Sequence, residues 1–125
     1  MLVYPAVFEK NDESYIVRFP DIPEAMTEGD TLNQSYEMAV EVLGLALEDY
    51  TEFPSPSDVE EIKKDYPDSL VTLIGIDLVA YRRKYHSKSI RKNVTVPEWL
   101  ADIAQSENIN FSQTLTEALK DKLSV

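Results

Sequence analysis

The 125-residue sequence predicts an α+β protein with two parts, and three observations lead to that prediction. Strand-like segments rich in Val, Tyr and Phe accompany one long amphipathic pattern within residues 1–80. Two shorter amphipathic segments follow within residues 90–125. The charge also changes sign: residues 1–79 hold four basic and 18 acidic side chains, whereas residues 80–125 hold eight and five. We therefore predict a domain over 1–80, a basic linker over 81–89 and a module over 90–125.

An antiparallel hairpin is predicted at the start of the chain. The segments 2–8 and 14–19 are rich in β-formers, and the polar pair Asn11-Asp12 lies between them. Pro5 cannot donate to a strand ladder, so it favours an edge position or a bulge for the first strand. A short third strand is expected around residues 25–27.

One long helix should cover the sheet. Thr31 and Gln34 have the spacing of a capping box, and Pro54 ends the pattern. Apolar residues then recur at spacings of four and three, which places them on one buried face: Leu32, Tyr36, Ala39, Leu43, Ala46 and Tyr50. A helix of one or two turns is expected within residues 57–66. The apolar run 70–79 is predicted to be a strand inside the sheet.

Composition excludes several kinds of functional site. The chain has no cysteine and a single histidine, His86, which argues against thiol ligands and histidine-based metal sites or triads. The acids near strand ends show no spacing that singles out a catalytic pair: Asp21, Glu24, Glu28, Asp30 and Asp77. We expect no enzyme activity, metal or cofactor; a metal-dependent nuclease is the weaker alternative. No leader or membrane-length apolar run is apparent, so a cytoplasmic protein is expected.

The last third of the chain has the plan of a ribbon-helix-helix DNA-binding module. Residues 90–96 alternate polar and apolar side chains, and Pro97 is suited to the first position of a helix. Asn108 lies where a residue in the left-handed conformation would end the first helix, and Asn tolerates that conformation better than most residues. Asn110 and Gln113 then have capping-box spacing before a second helix.

Two sets of side chains are candidates for DNA contact. Arg91, Asn93 and Thr95 lie on one face of the strand, and a ribbon formed by two chains can place that face in the major groove. An ordinary exposed strand is the alternative interpretation. Free N–H groups at the start of the second helix suit a phosphate. The predicted phosphate-contacting residues are Lys92, Asn110, Phe111 and Ser112.

A tail of about 35 residues cannot bury a core by itself, so it needs a partner chain. We predict a homodimer, with a tetramer of paired dimers as the alternative. The expected dimer core consists of Val94, Val96, Trp99, Leu100, Ile103, Leu115 and Leu119.

Nearly the whole chain resembles the HicB family of type II toxin–antitoxin antitoxins, in its ribbon-helix-helix variant. The resemblance is carried by Tyr4-Pro5, by residues 15–23 (YIVRFPDIP), by residues 27–31 (TEGDT) and by the tail segments 92–100 and 110–115. It implies a partial RNase H-like N-terminal domain, which binds and blocks a HicA-like toxin that cleaves mRNA. It also implies a C-terminal module that binds operator DNA and represses the antitoxin's own operon.

The resulting hypothesis is a dimeric antitoxin and transcriptional repressor, with a HicA-like toxin and operator DNA as partners and no membrane association. The alternative is a ribbon-helix-helix transcription factor whose N-terminal domain senses a small ligand. A neighbouring reading frame for a short basic protein would favour the antitoxin.

Overall fold

In the computed structural model, which describes residues 1–125, the chain forms four strands and five helices. Their bounds are β1 Leu2–Lys10, β2 Tyr15–Arg18, β3 Met26–Gly29, α1 Leu32–Leu47, α2 Val59–Asp65, β4 Leu70–Ile76, α3 Leu78–Tyr85, α4 Glu98–Ser106 and α5 Phe111–Leu123. The chain divides into an N-terminal unit, Met1–His86, and a C-terminal unit, Ser87–Val125. The predicted α+β class is confirmed. None of the helices is long and apolar enough to cross a bilayer.

The four strands form one antiparallel sheet in the order β3-β2-β1-β4. The predicted hairpin joins β1 to β2, with Lys10 opposite Tyr15. Asn11 closes its turn, since the side-chain oxygen accepts from the backbone N–H of Ser14 at 2.8 Å. The third strand begins at Met26, one residue later than predicted.

The edge position that Pro5 indicated for β1 is wrong, because β1 is an inner strand. Pairing with β2 covers only Val7–Lys10 of β1, whereas pairing with β4 runs from Leu2 to Phe8. Pro5 therefore has a strand neighbour on one side only, opposite Leu73 of β4. A residue with no N–H fits there, because the unpaired side of the strand needs no donor.

Helix α1 packs on one face of the sheet and completes the main core. Thr31 caps it by accepting from the N–H of Gln34 at 3.1 Å, as the sequence predicted. The buried face is shifted from the predicted one: Ser35, Ala39, Leu43 and Leu47 are buried, whereas Leu32 and Tyr36 are nearly half exposed. The hydroxyl of Ser35 donates to the carbonyl of Thr31, so a polar residue is satisfied at the buried position.

The opposite face of the sheet carries a smaller core under α2. Ile62 of α2 packs with Val7 and Val71, and the partly buried Val59 and Tyr66 surround them. Asp58 caps this helix by accepting from the N–H of Glu60. Both faces of the sheet are thus covered near the start of β4.

Residues 78–85 form helix α3, although the sequence predicted the end of a strand and the start of a linker. Asp77 ends β4 and caps α3, because its carboxylate accepts from the N–H groups of Val79 and Ala80. The basic side chains Arg82, Arg83 and Lys84 therefore belong to the last turn of a helix in the N-terminal unit.

Candidate functional site

The C-terminal unit begins with an extended segment that carries the predicted base-reading residues. Residues 87–97 form neither a helix nor a hydrogen-bonded strand in the single chain. A β-strand exists only when a second strand pairs with it, and the single chain places no strand beside this segment. Arg91, Asn93 and Thr95, and with them Lys92, are all solvent-exposed.

Pro97 lies one position earlier than predicted. It occupies the N-cap of α4 with φ −52° and ψ 137°, and its carbonyl accepts from the N–H of Ala101 at 3.0 Å. The extended ψ value keeps Pro97 outside the helix while its carbonyl already makes the first helical hydrogen bond. The proline therefore fixes where the extended segment ends.

The turn between α4 and α5 has the backbone geometry that the sequence predicted. Asn108 is left-handed, with φ 56°. Its N–H donates to the carbonyl of Gln105, and the N–H of Ile109 donates to the carbonyl of Ala104. These two hydrogen bonds form a Schellman motif, which satisfies the last carbonyls of α4. The motif therefore ends α4 ahead of α5.

The start of α5 offers backbone donors to an anion. Asn110 caps this helix by accepting from the N–H of Gln113 at 3.0 Å, whereas the Gln113 side chain bonds Glu117 instead of closing a capping box. The N–H groups of Phe111 and Ser112 make no hydrogen bond within the helix. Such free donors, together with the helix dipole, are the usual features of a phosphate-binding helix start.

No side chain of residues 87–125 is buried in the single chain, and only Ala101 and Ala104 are partly buried. Trp99 is 65% exposed and Val94 63% exposed. The whole predicted dimer core is accessible in this way: Val94, Val96, Trp99, Leu100, Ile103, Leu115 and Leu119. Phe111, Ile109 and Leu123 add further exposed apolar surface. Exposed apolar surface concentrated in this way on a 39-residue unit is typical of interaction surfaces.

The division into units places the charge differently from the sequence-based division. Residues 1–86 hold seven basic and 18 acidic side chains, a net charge of −11, and residues 87–125 hold five of each. Of the six cations between residues 80 and 97, three lie in α3 and the other three, Lys88, Arg91 and Lys92, lie in the extended segment. The extended segment that carries the predicted base readers is therefore locally basic.

The carboxylates of the N-terminal unit surround two open cavities. One cavity of about 410 Å³ is lined by Glu24, Asp49, Tyr50 and Glu52, among others. The other, of about 470 Å³, lies beside the hairpin turn and is lined by Asp12, Glu13, Glu28 and Asp30, together with Asn11 and Ser14. No group of three or more His, Asp or Glu side chains is placed to hold a metal ion. These acids therefore form anionic surface.

Three of the acids near strand ends each accept a hydrogen bond from a different neutral donor. The hydroxyl of Tyr50 donates to Glu24 at 2.6 Å, and this bond lowers the pKa of the Glu24 carboxyl and raises the pKa of the Tyr50 hydroxyl. Asp21 accepts from the backbone N–H of Ser57. Glu28 accepts from the buried hydroxyl of Ser14. Each of these acids has a structural contact of its own, and the partners lie too far away in the chain to be predicted from the sequence.

Helix α3 contacts α1 in a way that was not predicted from the sequence. The hydroxyl of Tyr85 donates to Glu41 at 3.0 Å, and Nε2 of His86 lies 2.5 Å from Oε1 of Glu48. The single histidine thus holds the end of the N-terminal unit against α1. The available signal for this helix was Asp77, a residue type favoured at helix N-caps, with the helix formers Leu78 and Ala80 after it.

Comparison with known proteins places the chain among bacterial antitoxins. Residues 4–119 match the model of a family described as HicB-like antitoxin of bacterial toxin–antitoxin systems. Antitoxin HicB 2 of Photorhabdus laumondii is 31% identical over 121 residues, which cover 93% of this chain and 87% of that protein. An uncharacterised 14.9 kDa protein of Haemophilus phage HP1 is 31% identical over 79% of this chain and 76% of its own length.

Two solved structures share the fold over almost the full length. A toxin–antitoxin complex from Streptococcus pneumoniae contains a chain with a TM-score of 0.56 and 30% identity, covering 97% of this chain and 98% of that one. The antitoxin HicB of Burkholderia pseudomallei gives a TM-score of 0.54 and 26% identity, covering 98% and 99%. The likeness therefore includes both units.

Proposed function

Since this chain belongs to the HicB-like antitoxin family of bacterial toxin–antitoxin systems, we propose that it neutralises a HicA-type mRNA-cleaving toxin and represses its own operon. Two of the curated relatives, both from Photorhabdus laumondii, are named antitoxins, and a non-enzyme antitoxin is the function that they support. In this proposal the N-terminal unit, with its partial RNase H-like fold, binds the toxin. The C-terminal unit binds operator DNA as a ribbon-helix-helix dimer.

The absence of a buried side chain in residues 87–125 is the observation that carries the DNA-binding half of the proposal. Burying a large apolar side chain contributes about 1.5–3 kcal/mol, and this unit leaves all of its large apolar side chains accessible. Two intertwined copies would cover Trp99, Leu100 and Leu115 while supplying the second strand that residues 90–96 lack. Dimerisation thus gives the unit both a core and a ribbon.

The ribbon would present three polar side chains to base edges. Arg91, Asn93 and Thr95 alternate with Val94 and Val96, so the two sets point to opposite faces of an extended strand. Arg suits guanine O6 and N7, Asn suits adenine N6 and N7, and Thr contacts either a base edge or a thymine methyl. Their exposure in the single chain is compatible with this role.

Phosphate contacts would fix the ribbon in the groove. The N–H groups of Phe111 and Ser112 are available at the start of α5, and Lys92 adds a charge in the extended segment. The side-chain oxygen of Asn110 is engaged in capping, so its NH₂ group is the part that remains for a phosphate. Two such helix starts would clamp the backbone on either side of the ribbon.

The toxin half of the proposal is supported by charge and by the relatives. The N-terminal unit carries a net charge of −11, which favours encounter with a basic partner. The similar chain from Streptococcus pneumoniae was solved as part of a toxin–antitoxin complex. Both observations therefore support a basic toxin as the partner of the acidic N-terminal unit.

The proposal is tested by two measurements on the full chain. Co-expression with the adjacent reading frame should give a complex that co-purifies and that abolishes the growth defect caused by the partner alone. The purified chain should also shift DNA from its own upstream region and not a scrambled duplex of equal length. DNA binding without a protein partner would favour the ligand-sensing transcription factor, whereas neither activity would overturn both halves.

A further inference from the structure

Helix α3 ends in a group of cations that interrupts the acidic surface of the N-terminal unit. Three of the seven basic side chains in residues 1–86 are consecutive there: Arg82, Arg83 and Lys84. All three are solvent-exposed, although the unit has a net charge of −11. No acidic residue follows Asp77 in the chain until Glu98. The sign of the charge therefore reverses at one defined helix.

Packing of α3 leaves these three cations away from its buried side. Leu78 and Tyr81 pack against the main core, and the hydroxyl of Tyr85 donates to Glu41 of α1. The three packed residues recur at spacings of three and four, so they share one side of the helix. Positions 82–84 fall between Tyr81 and Tyr85 on the remaining sides. The fold thus presents the cations to solvent.

No carboxylate forms an ion pair with Arg82 or Lys84. The acids of α1 that contact α3 are Glu41 and Glu48, and they are bonded to a tyrosine and to the single histidine at the end of α3. Cations in the last turn of a helix complement its dipole, but that effect leaves their N–H donors to solvent. The donors of Arg82 and Lys84 are therefore available to an external anion.

The chain keeps these cations close to the proposed base readers. Arg91 lies seven positions after Lys84, and Lys88 lies between them. Seven extended residues span at most about 25 Å. One strand of B-DNA has a phosphate about every 3.4 Å, so this span corresponds to roughly seven base pairs. Phosphates just outside the bases read by the ribbon are therefore within reach of α3.

We propose that Arg82, Arg83 and Lys84 bind the phosphates that flank the operator bases read by the ribbon. The inference rests on the proposed function, because it requires a bound operator. Guanidinium and ammonium groups are common donors to phosphate oxygens, and such contacts carry no sequence information. Helix α3 would therefore strengthen binding to all sequences alike, and the ribbon would still select the operator.

The net charge of the N-terminal unit does not prevent this contact. At 0.15 M salt the screening length is about 8 Å, so more distant acids act weakly on a phosphate that contacts α3. The two acidic cavities are lined by residues of the hairpin, of β3 and around the end of α1, and by no residue of α3. Repulsion between that acidic surface and DNA would favour approach through α3.

Two matched variants of the full chain test the proposal. Each replaces three exposed cations of the N-terminal unit by glutamine, which removes the charge and keeps a good helix former. The α3 variant is Arg82→Gln/Arg83→Gln/Lys84→Gln, and the control variant is Lys10→Gln/Lys63→Gln/Lys64→Gln. Circular dichroism establishes that both are folded. The probe is labelled duplex DNA from the chain's own upstream region, with binding followed by fluorescence anisotropy.

The salt dependence of binding reports the number of phosphate contacts. Each contact adds about 0.9 to the slope of log K against log[salt], so a dimer that loses one to three contacts per chain should show a slope flatter by roughly 2 to 5. We expect this change for the α3 variant and the wild-type slope for the control variant. An unchanged slope for the α3 variant overturns the proposal. So does an equal change in both variants, which would show an effect of net charge alone.

The length of the duplex shows where the contacts lie. One duplex holds only the operator bases, and the other is extended at each end by about eight base pairs of unrelated sequence, just beyond the span of seven residues. The wild type and the control variant should bind the longer duplex more tightly. The α3 variant should lose most of that gain. The same gain in all three proteins would overturn the placement of α3 on flanking phosphates.

These outcomes are distinguishable from failure of the proposed function. If the wild type binds no DNA from its upstream region, operator binding fails and this inference fails with it. If Arg91→Ala abolishes sequence preference and the α3 variant binds as the wild type does, only this inference fails. An unchanged slope together with loss of the co-purifying toxin also overturns it, since the cations would then contact that protein.

Discussion

Gly44 of α1 lies directly against the ring of Tyr81 in α3. A Cβ atom at residue 44 would lie 2.5 Å from two carbons of that ring and 2.8 Å from Cδ1 of Ile76. The Tyr81 ring is itself held by Tyr85, with ring centroids 4.7 Å apart. Close approach of the two helices therefore requires glycine at this position, and it makes α3 an integral part of the N-terminal unit.

Gly44→Ala should destabilise the N-terminal unit although alanine is the better helix former. Overpacking costs about 1–3 kcal/mol, and the gain in helix propensity offsets about 1 kcal/mol of that cost. We expect a net loss of about 1 kcal/mol in the free energy of unfolding, measured by urea denaturation. Gly75→Ala in β4 is a control for adding a methyl group where it can be accommodated, because the nearest side chain there is the flexible end of Met1 at 3.1 Å.

The cause of that loss can be isolated with a second substitution. In a Tyr81→Ala background the ring is gone and only Cδ1 of Ile76 still obstructs a Cβ, so the loss caused by Gly44→Ala should be clearly smaller. An equal loss in both backgrounds would show that the contact with Tyr81 is not the reason for the glycine.

Elements fixed by neighbouring residues were predictable from the sequence. The cap at Thr31, the left-handed Asn108 and the cap at Asn110 each depend on hydrogen bonds within about five residues. Helix α3 was not predicted because residues 70–79 form one continuous apolar run, in which only Asp77 marks the change from strand to helix. The position of Pro5 depends on how far β2 extends along β1, which no local pattern encodes.

The side-chain types of the candidate site could be predicted from the sequence, but the residues and chains that contact them could not. The alternation around Arg91, Asn93 and Thr95 is a property of the sequence itself. Pairing of that segment needs a second chain, so a single chain leaves it extended and its apolar residues exposed. The contacts of Glu24 with Tyr50 and of Glu48 with His86 join residues 26 and 38 positions apart, which only the tertiary fold brings together.

The hydrogen bond between Tyr50 and Glu24 should appear in the titration of both groups. The hydrogen bond lowers the pKa of the Glu24 carboxyl below the ordinary value of 4.5. The stabilisation that the ionised carboxyl gains from it is therefore present above pH 4.5 and is lost as the pH falls through the lowered pKa. It raises the pKa of Tyr50 above 10.0, so that contribution is present below pH 10.0 and is lost as pH rises through the raised value. Tyr50→Phe should return the pKa of Glu24 towards 4.5, and Glu24→Gln should return that of Tyr50 towards 10.0.

NMR titration of the carboxyl and ring signals measures both shifts. Tyr15→Phe, which removes a hydroxyl elsewhere in the sheet, should leave the pKa of Glu24 unchanged. Titration of Glu24 at the same pH in the wild type and in Tyr50→Phe would refute the assignment of the hydrogen bond as the cause.

Removal of either proposed base reader should weaken specific binding to operator DNA. A good bidentate contact is worth about 1–3 kcal/mol, so Arg91→Ala or Asn93→Ala should reduce affinity roughly 5- to 150-fold. The measurement is fluorescence anisotropy with operator and scrambled duplexes at fixed salt. Ser89→Ala, in the same extended segment, is the control and should bind as the wild type does. Equal loss on both duplexes would indicate contact with phosphates in place of bases.

The turn between α4 and α5 should discriminate sharply between alanine and glycine at residue 108. Asn108 has φ 56°, a conformation that Asn tolerates, that Gly adopts freely and that disfavours Ala because of its Cβ. Asn108→Ala should cost about 1 kcal/mol, whereas Asn108→Gly should be neutral or slightly stabilising. Trp99 is the only tryptophan and lies in α4, so its fluorescence during thermal unfolding reports on the C-terminal unit alone. Equal thermal unfolding midpoints for the two variants would mean that the Schellman motif does not fix this turn. The N–H groups of Phe111 and Ser112 that are proposed to bind a phosphate would then lack a defined position relative to α4.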